Sequence, residues 1–255
     1  MEENSRDWDY IKKYRLDEII DFKSTQKRNI NFTVEPENTS IYPAGNKVSD
    51  LVRLHQLCRN RKVVTVMEFG CGWSTSIFAH AMHINKLEFS DFVTHNLRRN
   101  NAFQVHTVDD IETYIEAVAT RVRSPFSEHL TLYCTQARLT TFNGRICTEY
   151  ESLPNICPDL IYLDGPSQYS PNGDINGIST SHPDRLPMSC DILKFEHFLL
   201  PGTLIVVDGR TANARFLASN LQRGWVHKFY EDDEYHLFEL QEAPLGRYNK
   251  MQLDF

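Results

Sequence analysis

The chain of 255 residues has no C-x-x-C pair among its six cysteines, which stand at positions 58, 71, 134, 147, 157 and 190. That spacing speaks against a zinc ribbon or a thiol-disulfide motif, and several of these cysteines lie in apolar, strand-like runs, as buried free thiols do. A reducing, cytoplasmic setting is expected, in which the sequons at Asn31 and Asn38 are coincidental. The pair His80-x-x-His83 shares a helix face without an acidic or cysteine partner, so zinc is not expected there. Excess basic charge is also missing: 27 Lys and Arg against 34 Asp and Glu leave a net charge of -7. Broad attraction to nucleic acid or to an anionic membrane is therefore not expected. No long apolar run exists. The longest, near Phe198 to Val207, contains Pro201 and Gly202, and residues 1–15, MEENSRDWDYIKKYR, are polar without an apolar h-region. A soluble, unexported protein is expected. No linker divides the chain, so it reads as one α/β domain over 49–255 preceded by an N-terminal helix and loop extension over 1–48. Nothing in it fixes an oligomeric state.

What is present is a strand running into a glycine turn. Val63-Val64-Thr65-Val66-Met67 is β-branched and unbroken, as in a central strand covered on both faces. Glu68 follows at its carboxyl edge. Gly70 and Gly72 permit backbone angles and close ligand approach that a Cβ would block, and Ser74-Thr75 are good caps for a helix carrying Ile77, Phe78, Ala81 and Met82. A dinucleotide fingerprint, G-x-G-x-x-G, would need a third glycine where Thr75 stands, and no second fingerprint occurs.

The rest of the chain alternates strands and helices. A helix is expected within 8–23, followed by a polar stretch to Gly45, with Tyr42-Pro43 just ahead of an amphipathic helix over 49–60. After the glycine turn a helix should run to about Asn85, with a separate short helix in the charged segment 86–101. The second strand, in AFQVHTVDD, ends at Asp109 and leads into a helix from Ile111 to Val122. HLTLYCTQA is the third strand, and Asn143-Gly144 marks a hairpin. Leu160 to Leu163 ends in Asp164, and LIVVD ends in Asp208 before a helix to Gln222. Two antiparallel strands surround Asp232-Asp233.

Glu68-Phe69-Gly70-Cys71-Gly72, with Ser74 at the usual third-glycine position, resembles motif I of class I S-adenosylmethionine (SAM)-dependent methyltransferases. The count and order of strands are similar too, over roughly residues 50–240. The resemblance implies a doubly wound α/β fold: a mostly parallel seven-stranded sheet with a C-terminal antiparallel hairpin. It assigns Glu68, Gly70, Cys71, Gly72, Ser74 and Gln136 to the cofactor. It also implies an acid at the end of the second strand that binds the ribose hydroxyls. Asp109 fits by position, but it lies about twice the usual ~20 residues from motif I. Either 86–101 is an insertion or Glu88 is that acid.

In related catechol and sugar O-methyltransferases, acids after strands four and five hold a divalent cation, and Asp164 and Asp208 match those positions. The expected third ligand is Gly209 here. Two alternatives follow: a Mg²⁺-type site on Asp164 and Asp208, or a metal-free site with Asp164, His182 or Asp208 as general base. The long polar loop after Asp164 should hang Tyr169, Asp174, His182, Asp184 and Arg185 over the strand ends. The expected function is O-methylation of a small polar acceptor, a sugar or glycan precursor first. The alternatives are a NAD-dependent sugar-modifying enzyme and a non-catalytic nucleotide-binding protein.

Overall fold

The structure is a computed structural model that describes residues 2–20 and 48–255. The polar stretch to Gly45, with Tyr42-Pro43 and both sequons, lies outside the described residues. The described residues contain nine strands: β1 (Thr65–Phe69), β2 (Gln104–Asp109), β3 (Leu130–Cys134), β4 (Ala137–Phe142), β5 (Arg145–Tyr150), β6 (Leu160–Leu163), β7 (Leu204–Asp208), β8 (Trp225–Tyr230) and β9 (Tyr235–Leu240). Seven of them form one sheet in the order β3-β2-β1-β6-β7-β9-β8. Every pair is parallel except those made by β9, which runs against β7 and β8. This is the strand order that the resemblance implies. Its direction reverses between β1 and β6, and in such sheets ligands sit beyond the carboxyl ends at the reversal.

The two-residue period of the strands divides the core. Val66, Leu160 and Tyr162 pack on one face with Leu54 of α2 (Val48–Asn60) and Phe78 of α3 (Trp73–Asn96). Met67, Phe69, Ile161 and Leu163 point the other way, against Ile192 of α5 (Asp191–Phe195) and Phe216 of α6 (Thr211–Ala218). Between them α4 (Glu112–Arg121) leans on α3 through Val118 and Ala79. No helix among the described residues is long and apolar enough to cross a membrane. All six cysteines are free, and Cys58, Cys147 and Cys190 are buried.

Four expectations need correction. Strand β1 extends to Phe69, so Glu68 is its penultimate residue rather than the residue after it. The segment after Asn85 is not a separate short helix: α3 continues for 24 residues, because Val93 stays buried and Phe89 and Phe92 pack on Phe255. The charged residues there occupy only its outer face. The first helix, α1 (Glu2–Tyr14), stops at Arg15, whose φ of 55° breaks the helix ahead of a short 3₁₀ turn. A last helix, α7 (Arg247–Leu253), was not foreseen. It docks through buried Asn249, which donates to the Pro201 carbonyl at 3.0 Å.

The hairpin at Asn143-Gly144 stands apart as its own two-stranded sheet, with φ of 49° and 72° at the two turn residues. Both values are positive, as a tight hairpin turn requires.

Candidate functional site

The two glycines after β1 do different work. Gly70 has φ +87°, and a Cβ built on it would lie 2.8 Å from the Asp164 carbonyl carbon and oxygen and from the Gly165 nitrogen. A Cβ on Gly165 would meet Gly70 N at 2.5 Å, Gly70 Cα at 2.6 Å and the Tyr150 hydroxyl at 2.7 Å. The loops after β1 and β6 thus touch backbone to backbone. The space that a Gly70 Cβ would need is filled by the neighbouring loop. At Gly72, φ is −175°, which any residue adopts, and a Cβ would meet only Ser74 Oγ, at 3.9 Å. Gly72 is the glycine that borders open space.

Beneath this turn Glu68 is fully buried. It accepts from Ser74 Oγ at 2.5 Å and from Thr107 Oγ1 at 2.7 Å. Burial pushes its carboxyl up to about 7 against those hydrogen bonds. Ser74 was expected to cap α3, but its hydroxyl turns inward to Glu68. The cap falls to Thr75, whose Oγ1 accepts the Gly72 N–H at 3.0 Å.

Asp109 ends β2 and reaches back to the turn. Its Oδ2 accepts the Cys71 N–H at 2.7 Å and its Oδ1 accepts the Ile111 N–H at 2.8 Å. Burial raises its pKa while these backbone donors oppose the rise. Glu88 lies in mid α3 and pairs with Arg59 at 2.5 Å. Of the two candidates, Asp109 is the strand-two acid. Gln136 lies exposed in the bend after β3, its carbonyl accepting the Glu151 N–H. Two occluded polar atoms at this edge have no hydrogen-bond partner among the described residues: Oδ1 of Asp110 and the hydroxyl of Tyr150. Both lie within electrostatic reach of Arg210, and Tyr150 also of Asp109.

At the ends of β6 and β7 each acid has an arginine. Arg210 donates from Nε to Asp164 Oδ1 at 3.2 Å, from one terminal nitrogen to the Pro166 carbonyl at 2.8 Å, and from the other to the Asp164 carbonyl. Asp208 accepts the Tyr162 hydroxyl at 3.0 Å and faces Arg53 at 3.7 Å. Arg53 in turn pairs with Asp50 at 3.0 Å and lies 3.9 Å over the Tyr235 ring. Burial, then repulsion from Asp50 and Asp164, pushes the Asp208 carboxyl up to about 6 against the pull of Arg53 and Tyr162. The donor set does not fit a Mg²⁺ site on Asp164 and Asp208, since both carboxylates are already engaged by cationic or hydroxyl donors. Among the described residues no group of three His, Cys, Asp or Glu side chains could hold a metal.

Backbone bonds pin the loop after β6 to the hairpin: Asn172 exchanges bonds with Ala137 and Leu139 at 2.9 Å, and Thr148 bonds Met188 and Cys190 at 2.8 and 2.9 Å. Between these anchors the polar residues serve local turns. Asp174 accepts the Gly177 N–H, Arg185 donates to the Ser179 carbonyl, and His182 Nδ1 accepts the Asp184 N–H at 3.1 Å. Tyr169 and Asp184 are exposed. His182 is 47% exposed and, among the described residues, bonds to neither Asp164 nor Asp208. Asp174, His182 and Arg185 thus spend polar groups on turns within the loop.

His80 and His83 share a face, as expected. Each is taken by another imidazole: His80 by His55 at 2.9 Å, which Tyr10 also contacts, and His83 by His129 at 3.2 Å. Arg53, Arg210, Tyr162 and Tyr150 were missed from sequence. Only Arg210 left a local signal, standing two residues beyond Asp208 in the DGR turn.

No family model matches the chain, and no curated protein matches it. The chain is similar to several solved structures. One is the O-methyltransferase TomG from Streptomyces achromogenes in complex with SAM, at 14% identity over 76% of this chain and 81% of that one, TM-score 0.42. Another is an O-methyltransferase from Bacillus cereus in complex with S-adenosylhomocysteine (SAH), at 10% identity over 93% and 91%, TM-score 0.42. A methyltransferase from Podospora anserina bound to SAH is 11% identical over 76% and 78%, TM-score 0.38. Likeness this remote assigns neither substrate nor activity to the chain.

Proposed function

We propose that this chain is a SAM-dependent methyltransferase acting on an oxygen of a small polar acceptor, with a sugar or sugar-containing intermediate as the favoured class. The observation that carries the reading is the arrangement along one sheet edge. A turn with open space at Gly72 is tied to Asp109, and Asp164 and Asp208 close the two strands beyond the reversal.

SAM, when bound, supplies a methyl group already activated on a sulfonium. Cys71, Gly72, Ser74 and Gln136 would border it. Asp109 is held at the turn by the Cys71 and Ile111 N–H groups, and a carboxylate placed there suits the adjacent hydroxyls of a ribose. The unpartnered Asp110 oxygen and Tyr150 hydroxyl are further polar atoms at that edge in need of partners. Glu68 and Gly70 act from beneath, by holding Ser74 and the loop after β6 in place.

On the acceptor side Asp208 is the proton acceptor. Held up at about 6, it is ionised at neutral pH and more basic than a free carboxylate. Tyr162 orients it, and Arg53 balances its charge. Asp164 positions the loop through Arg210. Those two arginines take the charge-balancing part that a cation plays elsewhere, and His182 takes no part. What remains is alignment of the acceptor hydroxyl, a proximity effect. The acidic net charge speaks against a nucleic-acid acceptor.

Calorimetric titration with SAM, SAH and NAD is the first test, followed by transfer of labelled methyl from SAM to a panel of sugar nucleotides and glycosides. SAM and SAH should bind and NAD should not. NAD binding without SAH binding would favour the oxidoreductase alternative. SAH binding with no transfer to any acceptor would favour a binding protein that lacks the chemistry.

A further inference from the structure

A second cleft, of about 460 Å³, opens at the opposite edge of the sheet. It is bounded by the start of β1, the loops entering β2, β6 and β7, and α7. Its volume lies within the range of small-molecule sites.

The floor is fully engaged. Asp159 accepts the N–H groups of Val64 and Thr65 at 2.9 and 3.0 Å and is held on its other oxygen by Arg99 and Gln252. Arg99 also donates to the Cys157 carbonyl at 2.8 Å. Asn249 bonds Pro201 and Leu245. This floor is rigid and has little left to offer a ligand.

The rim is the reverse. Among the described residues, the side chains of Arg98, Asn100, Asn155 and Tyr248 make no hydrogen bond or ion pair, and all four are exposed. Phe198 beside them is 79% exposed and Tyr248 is 50% exposed. Among the described residues the charged side chains at the surface of the cleft are Arg98 and Arg99, with Asp159 beneath Arg99, in a chain of net charge -7. Since Arg99 is neutralised by Asp159, Arg98 is the cation left for a partner.

We propose that this cleft binds a small ring-bearing anion, specifically a nucleoside monophosphate. Arg98 pairs with the phosphate through charge-assisted hydrogen bonds. Phe198 and Tyr248 offer ring faces for the base, a contact that tolerates any base. Asn100 and Asn155 each carry a donor and an acceptor suited to its polar edge. The site is separate from the carboxyl edge and does not depend on the function proposed there.

Calorimetry with uridine 5′-monophosphate and adenosine 5′-monophosphate tests this, with uridine and inorganic phosphate as the partial ligands. Saturable nucleotide binding is expected, at least about tenfold tighter than either part alone. Arg98→Gln and Phe198→Ala should each weaken it by about tenfold or more while leaving SAH binding unchanged. Gly72→Leu, which crowds only the carboxyl-edge turn, should leave it intact. The proposal is overturned if neither nucleotide binds, or if phosphate alone binds as tightly, which would mark a bare anion site. Binding that survives Arg98→Gln and disappears in Gly72→Leu also overturns it, because the nucleotide then sits in the other cleft. So does self-association in sedimentation that Phe198→Ala abolishes and nucleotide does not disturb.

Discussion

Replacing Glu68 with Gln should change how the stability of this protein depends on pH. Glu68 is completely buried, and its carboxyl is raised from 4.5 to about 7. A raised acid holds its proton more tightly in the folded chain than in the unfolded one. Its contribution is therefore full below pH 4.5 and is lost as the pH rises through 7. The difference of about 2.5 pH units between 4.5 and about 7, at about 1.4 kcal/mol per unit, comes to about 3 kcal/mol. Urea unfolding from pH 4.5 to 8 measures it. Glu68→Gln keeps one acceptor oxygen, and its amide can donate to a hydroxyl that rotates, so both Ser74 and Thr107 retain partners. The stability of the wild type relative to this variant should fall by about 3 kcal/mol across that range. Asp191 and Asp208, each raised to about 6, slope the same way in both proteins and largely cancel in the difference. Parallel pH curves for the two proteins would refute the reasoning, and so would a gap that widens in favour of the wild type as pH rises.

The two glycines should separate folding from binding: Gly70→Ala, forced against the Asp164–Gly165 backbone at positive φ, should lower stability by about 1–3 kcal/mol in thermal melts. Gly72→Ala should melt like the wild type and bind SAH more weakly in calorimetry. Asp109→Ala should weaken SAM or SAH binding by about 1–3 kcal/mol, the cost of losing charge-assisted bonds, while Glu88→Ala leaves it unchanged. Once an acceptor is found, Asp208→Asn should cut turnover by ~10²- to 10⁴-fold with SAH affinity intact, and EDTA should have no effect. Metal-dependent turnover would instead return Asp164 and Asp208 to a cation.

The sheet was legible because its strands are short apolar runs that end in acids or glycines, and burial on both faces leaves few other readings for Val63–Met67 or Leu204–Val207. The hairpin was legible from Asn143-Gly144 alone. Helix α3 was misread beyond Asn85 because Phe89 and Phe92 find their partner in Phe255, which no local pattern can announce. The same holds at the site. Asp109, Asp164 and Asp208 could be placed from strand ends, but Arg53 comes from a helix more than a hundred residues away in sequence. On the helix pattern it reads as an ordinary solvated arginine. The close approach of the Asp164–Gly165 backbone to Gly70 was not legible, because a glycine that serves a ligand and one that serves a neighbouring loop look alike in one dimension.

The attachment of the loop after β6 to the detached hairpin separates two kinds of inheritance within one chain. The large sheet carries the turn, Asp109 and the acids, and a change there disturbs everything at once. The hairpin pairs with no strand of that sheet, yet its backbone sets where residues 172 and 188–190 lie. Lengthening it, shifting its register or exchanging its exposed residues would reshape the ground over which a substrate arrives. The strand ends would stay where they are. If the proposed function holds, a change of acceptor needs only a few residues in 137–150, with the turn, Asp109 and the strand-end acids left in place.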